Sequence, residues 1–213
     1  MSDTVSCQGL VCVKSVTISH AGGWSANSAR TLGQMPRPLR TFVEGIYHLS
    51  SHGSDERHLF LTAEDRTSFL DRLALVNQRF SLRLVQYALL GNHYHALLFT
   101  PGSVVSSALQ QLHGWYSLTY NQRHGRNAHL FRAHCFAREI TSDADLLVTS
   151  RYIAWNPVEA GISADPFSWP WSSTAASVGL VESRIPLDPG PLRAALGDRD
   201  DWRRRYREFI EAG

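Results

Sequence analysis

The stretch Gly91-Asn92-His93-Tyr94-His95 places two histidines one residue apart, directly after a turn signal. The flanking residues are rich in Leu, Val, Tyr and Phe, and a Gly-Asn pair between two such runs is typical of a β-hairpin. Alternate side chains on a strand share a face, so His93 and His95 are expected on one face and Tyr94 on the other. Two neutral imidazoles side by side can bind a metal ion, although packing alone also accounts for such a pair.

The composition limits the class of protein. The chain has 213 residues, of which 43% are hydrophobic, enough for one compact domain with a real core. The formal net charge is only +2, so nucleic-acid binding would depend on local basic patches. Three cysteines without paired spacing predict a reducing compartment, and no apolar run of membrane-spanning length or signal-peptide pattern occurs. We therefore expect a cytoplasmic protein without a membrane span.

The chain divides into three segments. Residues 1–34 carry Ser, Gly, Asn and Thr without a sustained hydrophobic period, which predicts a disordered N-terminal extension. Residues 35–180 contain the periodic segments of one domain. Residues 181–213 contain a linker and then a charged helix rich in arginine, in which a solvated face is the simplest interpretation.

Hydrophobic periodicity predicts the order of elements within the domain. A strand is expected over 42–50, a helix after the N-cap Thr62, the hairpin, and a second helix from Ser103. A strand over 132–140 and a third helix, which Pro157 is expected to end, follow. This order predicts an α+β fold with a ferredoxin-like antiparallel sheet, helices on one face and a C-terminal helical tail. The other face of the sheet can then hold a site.

The third helix offers partners for the histidine pair. Tyr152 and Asn156 are four residues apart and so share a helix face. Asn156 can supply an amide oxygen, and two imidazoles with one amide leave coordination positions open, as a metal ion acting on a phosphate requires. Tyr152 is then a candidate nucleophile toward that phosphate. A half-buried helix tyrosine and a helix-end asparagine are the structural alternatives, and Asp145 on nearly the same face has no assigned role.

Several blocks of sequence, in register between Met35 and about Gly179, strengthen this interpretation. They are Arg37-Pro38-Leu39-Arg40, Ile46-Tyr47-His48, Asn92-His93-Tyr94-His95, Asn121-Gln122-Arg123-His124-Gly125-Arg126, His129-Leu130-Phe131, Arg151-Tyr152-Ile153, Asn156-Pro157-Val158-Glu159-Ala160-Gly161 and Trp169-Pro170-Trp171-Ser172-Ser173. Through these blocks the chain resembles the REP-associated tyrosine transposases, which are single-tyrosine HUH transposases of bacterial insertion sequences. The chain departs from the usual family pattern at Gly91, at 51–54 and at 134–136.

The resemblance implies the chemistry as well as a ferredoxin-like core. His93 and His95 correspond to the HUH metal ligands, Asn156 to the third ligand and Tyr152 to the nucleophile, with Mg²⁺ or Mn²⁺ as the cofactor. The implied function is metal-dependent cleavage and strand transfer of single-stranded DNA at hairpin-forming palindromic repeats through a 5′-phosphotyrosine intermediate, by a monomer or a homodimer. The alternatives are a hairpin-binding protein of the same fold that has lost cleavage, and a metal hydrolase that uses activated water.

Two further expectations concern side chains outside the ligand set. Tyr116 also matches an aromatic position of the family, but it lies on the apolar stripe of its helix and its i+4 neighbour is Tyr120, a poor metal ligand, so Tyr152 is preferred. Candidate contacts to the DNA backbone are arginines near the matched blocks. They are Arg37, Arg40, Arg123, Arg126, Arg138 and Arg151.

Overall fold

The computed structural model describes residues 42–212. The predicted extension over 1–34 lies outside the described residues, as do two of the candidate DNA contacts, Arg37 and Arg40. No helix within the described part of the chain is long and apolar enough to cross a membrane.

Within residues 42–212, four strands form one antiparallel sheet, in the spatial order β2-β3-β1-β4. The strands are β1 (Gly45–His52), β2 (Arg83–Leu89), β3 (His93–Thr100) and β4 (Phe136–Ile140). The long helices are α1 (Ala63–Arg79), α2 (Val105–Arg123) and α3 (Asp143–Glu159), and the shorter ones are α4 (Thr174–Ser177), α5 (Gly190–Ala195) and α6 (Trp202–Glu211). The chain order β-α-β-β-α-β with this strand order is the ferredoxin-like arrangement, which confirms the predicted fold class.

Helix α1 begins at the predicted capping residue. The Thr62 hydroxyl accepts a hydrogen bond from the Asp65 N–H (3.2 Å), and the Asp65 carboxylate accepts one from the Thr62 N–H (3.0 Å). The buried Asp65 carboxylate also accepts hydrogen bonds from Arg123 and His124 at the end of α2. One carboxylate therefore joins the start of α1 to the end of α2.

Helices α1 and α2 cover one face of the sheet, as predicted. Alternate residues of the strands, among them Tyr47, Leu49 and Tyr94, point into this layer and are buried. Tyr116 and Tyr120 of α2 are buried there too, and each donates its hydroxyl hydrogen to a main-chain carbonyl, that of Leu59 or His58. This layer is the larger of the two hydrophobic cores in the described part of the chain.

The opposite face of the sheet carries a second core over β2 and β3. Here Val85 and Leu97 pack against α3, α5 and α6. The C-terminal helix is therefore more than a tail, because Trp202, Tyr206 and Ile210 of α6 are buried. Its arginines do form a solvated face, where Arg204 pairs with Asp201 and Glu208 within the same segment.

Helix α3 runs two residues past Pro157, which was expected to end it. The prediction was wrong because a proline removes one helical N–H without preventing the residues after it from completing the last turn. The turn is closed beyond the proline by the Ala160 N–H, which donates to the Asn156 carbonyl (2.9 Å). Asn156 therefore remains in regular helical geometry relative to Tyr152.

The aromatic segment 166–173 runs beside the outer edge of β2. The Leu89 N–H donates to the Trp171 carbonyl (2.9 Å), the Ser173 N–H donates to the Tyr87 carbonyl (3.0 Å), and the Trp169 indole N–H donates to the Leu89 carbonyl (2.8 Å). The segment thus satisfies main-chain groups that an edge strand would leave open.

Candidate active site

The hairpin between β2 and β3 positions the histidine pair. Its two-residue turn is closed by the Leu90 N–H, which donates to the His93 carbonyl (2.9 Å). The Gly91 carbonyl accepts from the Leu59 N–H (2.9 Å), and a β-carbon at position 91 would lie 2.9 Å from Nδ1 of His58. These contacts fix the position of the turn at the start of β3. The side chains of His93 and His95 then lie on one face of the sheet, while that of Tyr94, 1% exposed, lies in the larger core.

His95 faces helix α3. Its Nε2 atom lies 3.1 Å from Oδ1 of Asn156, and both side chains are buried. The Asn156 Nδ2 atom donates to the Tyr152 carbonyl (2.8 Å). Because a carbonyl can only accept, this bond fixes the amide so that its oxygen faces the imidazole. The i, i+4 spacing of Tyr152 and Asn156 thus orients the third predicted ligand.

His93 completes the set from the neighbouring position on the same face. Its ring centroid lies 5.0 Å from that of His95, with the two planes nearly perpendicular. Its Nδ1 atom lies 2.8 Å from Oδ1 of Asn92, and interaction with the Asn156 side chain acts against burial to raise the pKa of His93. The structure brings His93, His95 and Asn156 together as the sequence predicted, while their role as ligands stays a prediction.

Both imidazoles are held in the neutral form. Burial, and then the neighbouring His52, lowers the pKa of His93 to about 4. Burial, followed by the charges of His48 and His93, lowers the pKa of His95 to about 3. An imidazole binds a metal ion through an unprotonated nitrogen, so at pH 7 neither ring must lose a proton first.

His48 on β1 is a member of the site that the sequence interpretation did not assign. It is 6% exposed, its Nε2 atom lies 2.9 Å from Nδ1 of His95, and the two rings are stacked 5.2 Å apart. Burial, and then the positive charge of Arg138, lowers the pKa of His48 to about 4. The period-two alternation of His48, Ser50 and His52 was the available signal, because it puts three polar side chains on one face of β1.

Tyr152 stands at the open side of this group. Its side chain is 47% exposed, and its ring centroid lies 5.5 Å from that of His95 and 6.0 Å from that of His48. The ring borders a cleft of about 610 Å³ between the histidines, β4 and α3. A solvent-accessible phenol beside the predicted ligands is what a nucleophile requires.

The rival tyrosine lies on the other side of the sheet. Tyr116 is fully buried in the larger core, and its hydroxyl donates to the Leu59 carbonyl. Burial raises the pKa of Tyr116 well above its ordinary value. A buried phenol that is harder to ionise is a poor nucleophile, so the geometry favours Tyr152.

The arginines predicted to contact DNA are placed in different surroundings. Arg138 of β4 lines the cleft, where it donates to both Asp145 oxygens (2.8 Å each) and to the Thr149 hydroxyl (2.6 Å). Asp145, unassigned from the sequence, thus has a partner. The remaining three lie away from the cleft lining: Arg151 packs over the Phe209 ring at 4.7 Å, Arg123 pairs with buried Asp65, and Arg126 acts to lower the pKa of Tyr120.

The donor set fits a divalent metal ion. Two adjacent ligands at about 2.1 Å from an octahedral ion lie about 3 Å apart, close to the separation of the His95 nitrogen from the Asn156 oxygen (3.1 Å). Across residues 42–212, no three His, Cys, Asp or Glu side chains are grouped to hold a metal ion. The third donor here is an amide, so the set is uncharged and would leave the positive charge of the ion largely uncompensated.

Sequence comparison finds no matching protein-family model and no significantly similar curated protein. Structural comparison finds a REP-associated tyrosine transposase, solved bound to a REP hairpin. The two chains superpose with a TM-score of 0.57 at 18% identity, over 73% of this chain and 93% of that one. A protein from Deinococcus radiodurans described as a candidate transposase matches with a TM-score of 0.39 at 19% identity, over 56% of this chain and 95% of that one.

The fold is therefore similar to that of a tyrosine transposase: a ferredoxin-like core, which in this chain carries a histidine pair, an amide and an exposed tyrosine on one side of its sheet. The solved structure that supports this likeness is that of a REP-associated tyrosine transposase. It is a likeness of structure, since the sequence identity is low.

Proposed function

We propose that this protein is a metal-dependent HUH tyrosine enzyme that cleaves and rejoins single-stranded DNA at hairpin-forming palindromic repeats, in the manner of a transposase. The observation that carries the proposal is the convergence of exposed Tyr152 with buried His95 and Asn156 beside one open cleft. A protein of the same fold was solved with a REP hairpin, which supports hairpin DNA as the substrate class. A cytoplasmic location accords with a DNA substrate and belongs to the same proposal.

Mg²⁺ or Mn²⁺ would be held by His93, His95 and Asn156. When bound, the ion supplies Lewis-acid polarisation of a non-bridging phosphate oxygen. Because all three donors are neutral, they leave the ion strongly attracted to the anionic phosphodiester. The open positions away from the three donors suit a substrate that enters through the cleft.

His48 holds the proton of His95 at a defined atom. If Nε2 of His95 is to present a lone pair to a metal ion, its proton must sit on Nδ1, where the acceptor is Nε2 of His48 at 2.9 Å. The Asn156 amide is oriented by the Tyr152 carbonyl in the same way. Both ligands are thus set in position by hydrogen bonds within this chain.

Tyr152 is the proposed nucleophile. Its phenolic oxygen bonds to phosphorus, the bond from phosphorus to the leaving 3′ oxygen breaks, the phenol loses its proton and the leaving oxygen gains one. The products are a 5′-phosphotyrosine and a free 3′-OH. Because a phosphodiester is exchanged for another, the reverse reaction can rejoin DNA strands without a nucleotide cofactor.

The test is incubation of the purified protein with Mn²⁺ or Mg²⁺ and a single-stranded hairpin oligonucleotide, followed by denaturing gels and peptide mapping. We expect a covalent adduct on Tyr152 that Tyr152→Phe abolishes and that the matched control Tyr116→Phe retains. An adduct in Tyr152→Phe that is lost in Tyr116→Phe would assign the chemistry to the other tyrosine. Cleavage without an adduct would indicate activated water, and binding without cleavage would indicate a DNA-binding protein.

A further inference from the structure

The first residue of β4 is an aromatic side chain that the fold leaves open. Phe136 is 50% exposed, although it is paired in the sheet opposite Ser50 of β1. Its ring lies 5.6 Å from that of His48, at an interplanar angle of 69°, so the two rings meet edge to face. The contact with His48 orients the phenyl ring and leaves half of its surface toward solvent.

The exposure of Phe136 is part of a larger apolar surface. Val148 is 55% exposed and Tyr152 is 47% exposed, and both line the same cleft as Phe136. An exposed apolar cluster of this kind is typical of a surface that binds a partner or a ligand. Because the cluster includes the proposed nucleophile Tyr152, we expect the substrate to be that ligand.

A cation lies on the same strand. Arg138 is two residues from Phe136, and its guanidinium is held by Asp145 and Thr149 at the cleft wall. An aromatic ring beside an arginine is the combination with which proteins hold single-stranded nucleic acid, the ring stacking on a base and the cation contacting the backbone. The apolar and cationic parts of the cleft thus match the two chemical parts of a nucleotide.

The spacing within the cleft indicates which position of the DNA strand would supply the stacked base. The imidazole of His48 lies 6.0 Å from the Tyr152 ring and 5.6 Å from the Phe136 ring, so both rings flank one histidine. A phosphodiester at Tyr152 would then have a neighbouring base within reach of Phe136.

We propose that Phe136 is a stacking platform for an unpaired nucleobase adjacent to the phosphodiester at Tyr152, with Val148 as the second apolar wall. The inference rests on the proposed function and names the part of the DNA that this cleft holds. Stacking on a phenyl ring tolerates any base, because every base has a π-face. The subsite therefore discriminates unpaired from paired DNA at this position more strongly than it discriminates one base from another.

The test measures equilibrium binding, with EDTA present so that no metal-dependent cleavage occurs. The probes are single-stranded hairpin oligonucleotides that carry 2-aminopurine, or an abasic site, at each unpaired position in turn. We expect quenching of 2-aminopurine at one position, and removal of that base should weaken binding about tenfold. Phe136→Leu should weaken binding by a similar factor and remove the quenching. Phe136→Trp should retain the affinity and the quenching.

Leu118→Ala serves as the control, because Leu118 is 70% exposed on α2 and is not a cleft residue. It should leave affinity and quenching unchanged. If Phe136 only packs against His48, the abasic site will weaken binding by the same factor in Phe136→Leu as in the original protein. This outcome would overturn the proposal. Uniform fluorescence at every position would overturn it as well.

The binding assay separates this inference from the proposed function. A protein that forms the covalent adduct but shows no Phe136-dependent stacking retains the proposed function and loses the subsite. A protein that stacks a base on Phe136 but forms no adduct in Mn²⁺ or Mg²⁺ keeps the subsite and loses the cleavage reaction. Failure to bind any single-stranded DNA would overturn both.

Discussion

The Nε2 atom of His48 on β1 lies 2.9 Å from the Nδ1 atom of His95 on β3, and both imidazoles are buried. The two residues are 47 positions apart in the chain, and pairing of β1 with β3 brings them together. His48 thus sets the protonation of Nδ1 of His95, which faces away from Asn156. Through it, His48 also sets the protonation of Nε2, which faces Asn156.

Removal of this hydrogen bond should weaken metal binding without removing a ligand. We expect His48→Leu to lower Mn²⁺ affinity by about 10- to 100-fold, the usual loss when a partner of a ligating histidine is removed. His48→Gln should recover part of the affinity, because its amide can still bond to the His95 Nδ1 atom. Titration calorimetry with Mn²⁺ measures the effect.

His113→Gln is the matched control for His48, since His113 is another neutral histidine but lies against Tyr94 and Phe131. Its Mn²⁺ affinity should equal that of the original protein. Unchanged affinity in His48→Leu would show that His48 has no part in orienting His95.

Asn156 should be essential for the metal site and modest in its contribution to the fold. Asn156→Ala removes both the donor oxygen and the hydrogen bond to the Tyr152 carbonyl, so Mn²⁺ binding and adduct formation should be lost. The lost hydrogen bond should cost about 1 kcal/mol of unfolding free energy. Asn156→Asp should retain metal binding, because a carboxylate oxygen replaces the amide oxygen. Full adduct formation in Asn156→Ala would remove Asn156 from the site.

Stability should fall in mild acid. The pKa values of His48, His93 and His113 are lowered to about 4 and that of His95 to about 3, whereas an unfolded histidine titrates near 6.5. The unfolded chain therefore binds more protons than the folded protein between pH 6.5 and 4, so the free energy of unfolding falls as the pH falls through this window. Urea unfolding at pH 7, 6 and 5, at constant ionic strength, measures the slope.

A variant that lacks one of these histidines should show a shallower slope. His95→Gln removes one of the groups that take up a proton on unfolding, so its pH dependence should decrease by about one proton, or about 1.4 kcal/mol per pH unit. Equal urea midpoints at pH 7 and pH 5 in the original protein would contradict the assigned neutral histidines.

The buried carboxylate of Asp65 should matter for stability and not for the site. Burial acts to raise its pKa, but hydrogen bonds from His124, Arg123 and the start of α1 lower it overall. Asp65→Ala should cost about 3–5 kcal/mol, because it removes the Asp65 half of the α1 capping box and leaves the Arg123 and His124 partners unsatisfied. Thermal unfolding measures this loss. Glu64→Gln, one residue earlier in the exposed first turn, should change stability little.

Mn²⁺ affinity of folded Asp65→Ala at low temperature should equal that of the original protein. This carboxylate lies in the α1–α2 layer, on the side of the sheet away from the histidines. A large loss of metal affinity would show that the two faces of the sheet are coupled.

Local patterns predicted much of the fold and of the candidate site. The capping residue of α1, the turn at Gly91-Asn92 and the shared face of His93 and His95 follow from periods of a few residues, which the backbone geometry imposes wherever the segment folds. The i, i+4 relation of Tyr152 and Asn156 is of the same kind. A local rule failed at Pro157, because its effect depends on how near the helix end it lies.

Spacing along the chain was enough to predict which side chains share a face of a strand or a helix, and therefore to predict the histidine pair, the amide and the tyrosine. Contacts between elements could be read only from the folded protein: His48 contacts His95, Asp145 holds Arg138 at the cleft, and Phe136 is exposed while α6 is buried. The difference is one of range, because spacing along one element is set by its own backbone, whereas contacts between elements depend on strand register and packing, which form only when the whole sheet assembles.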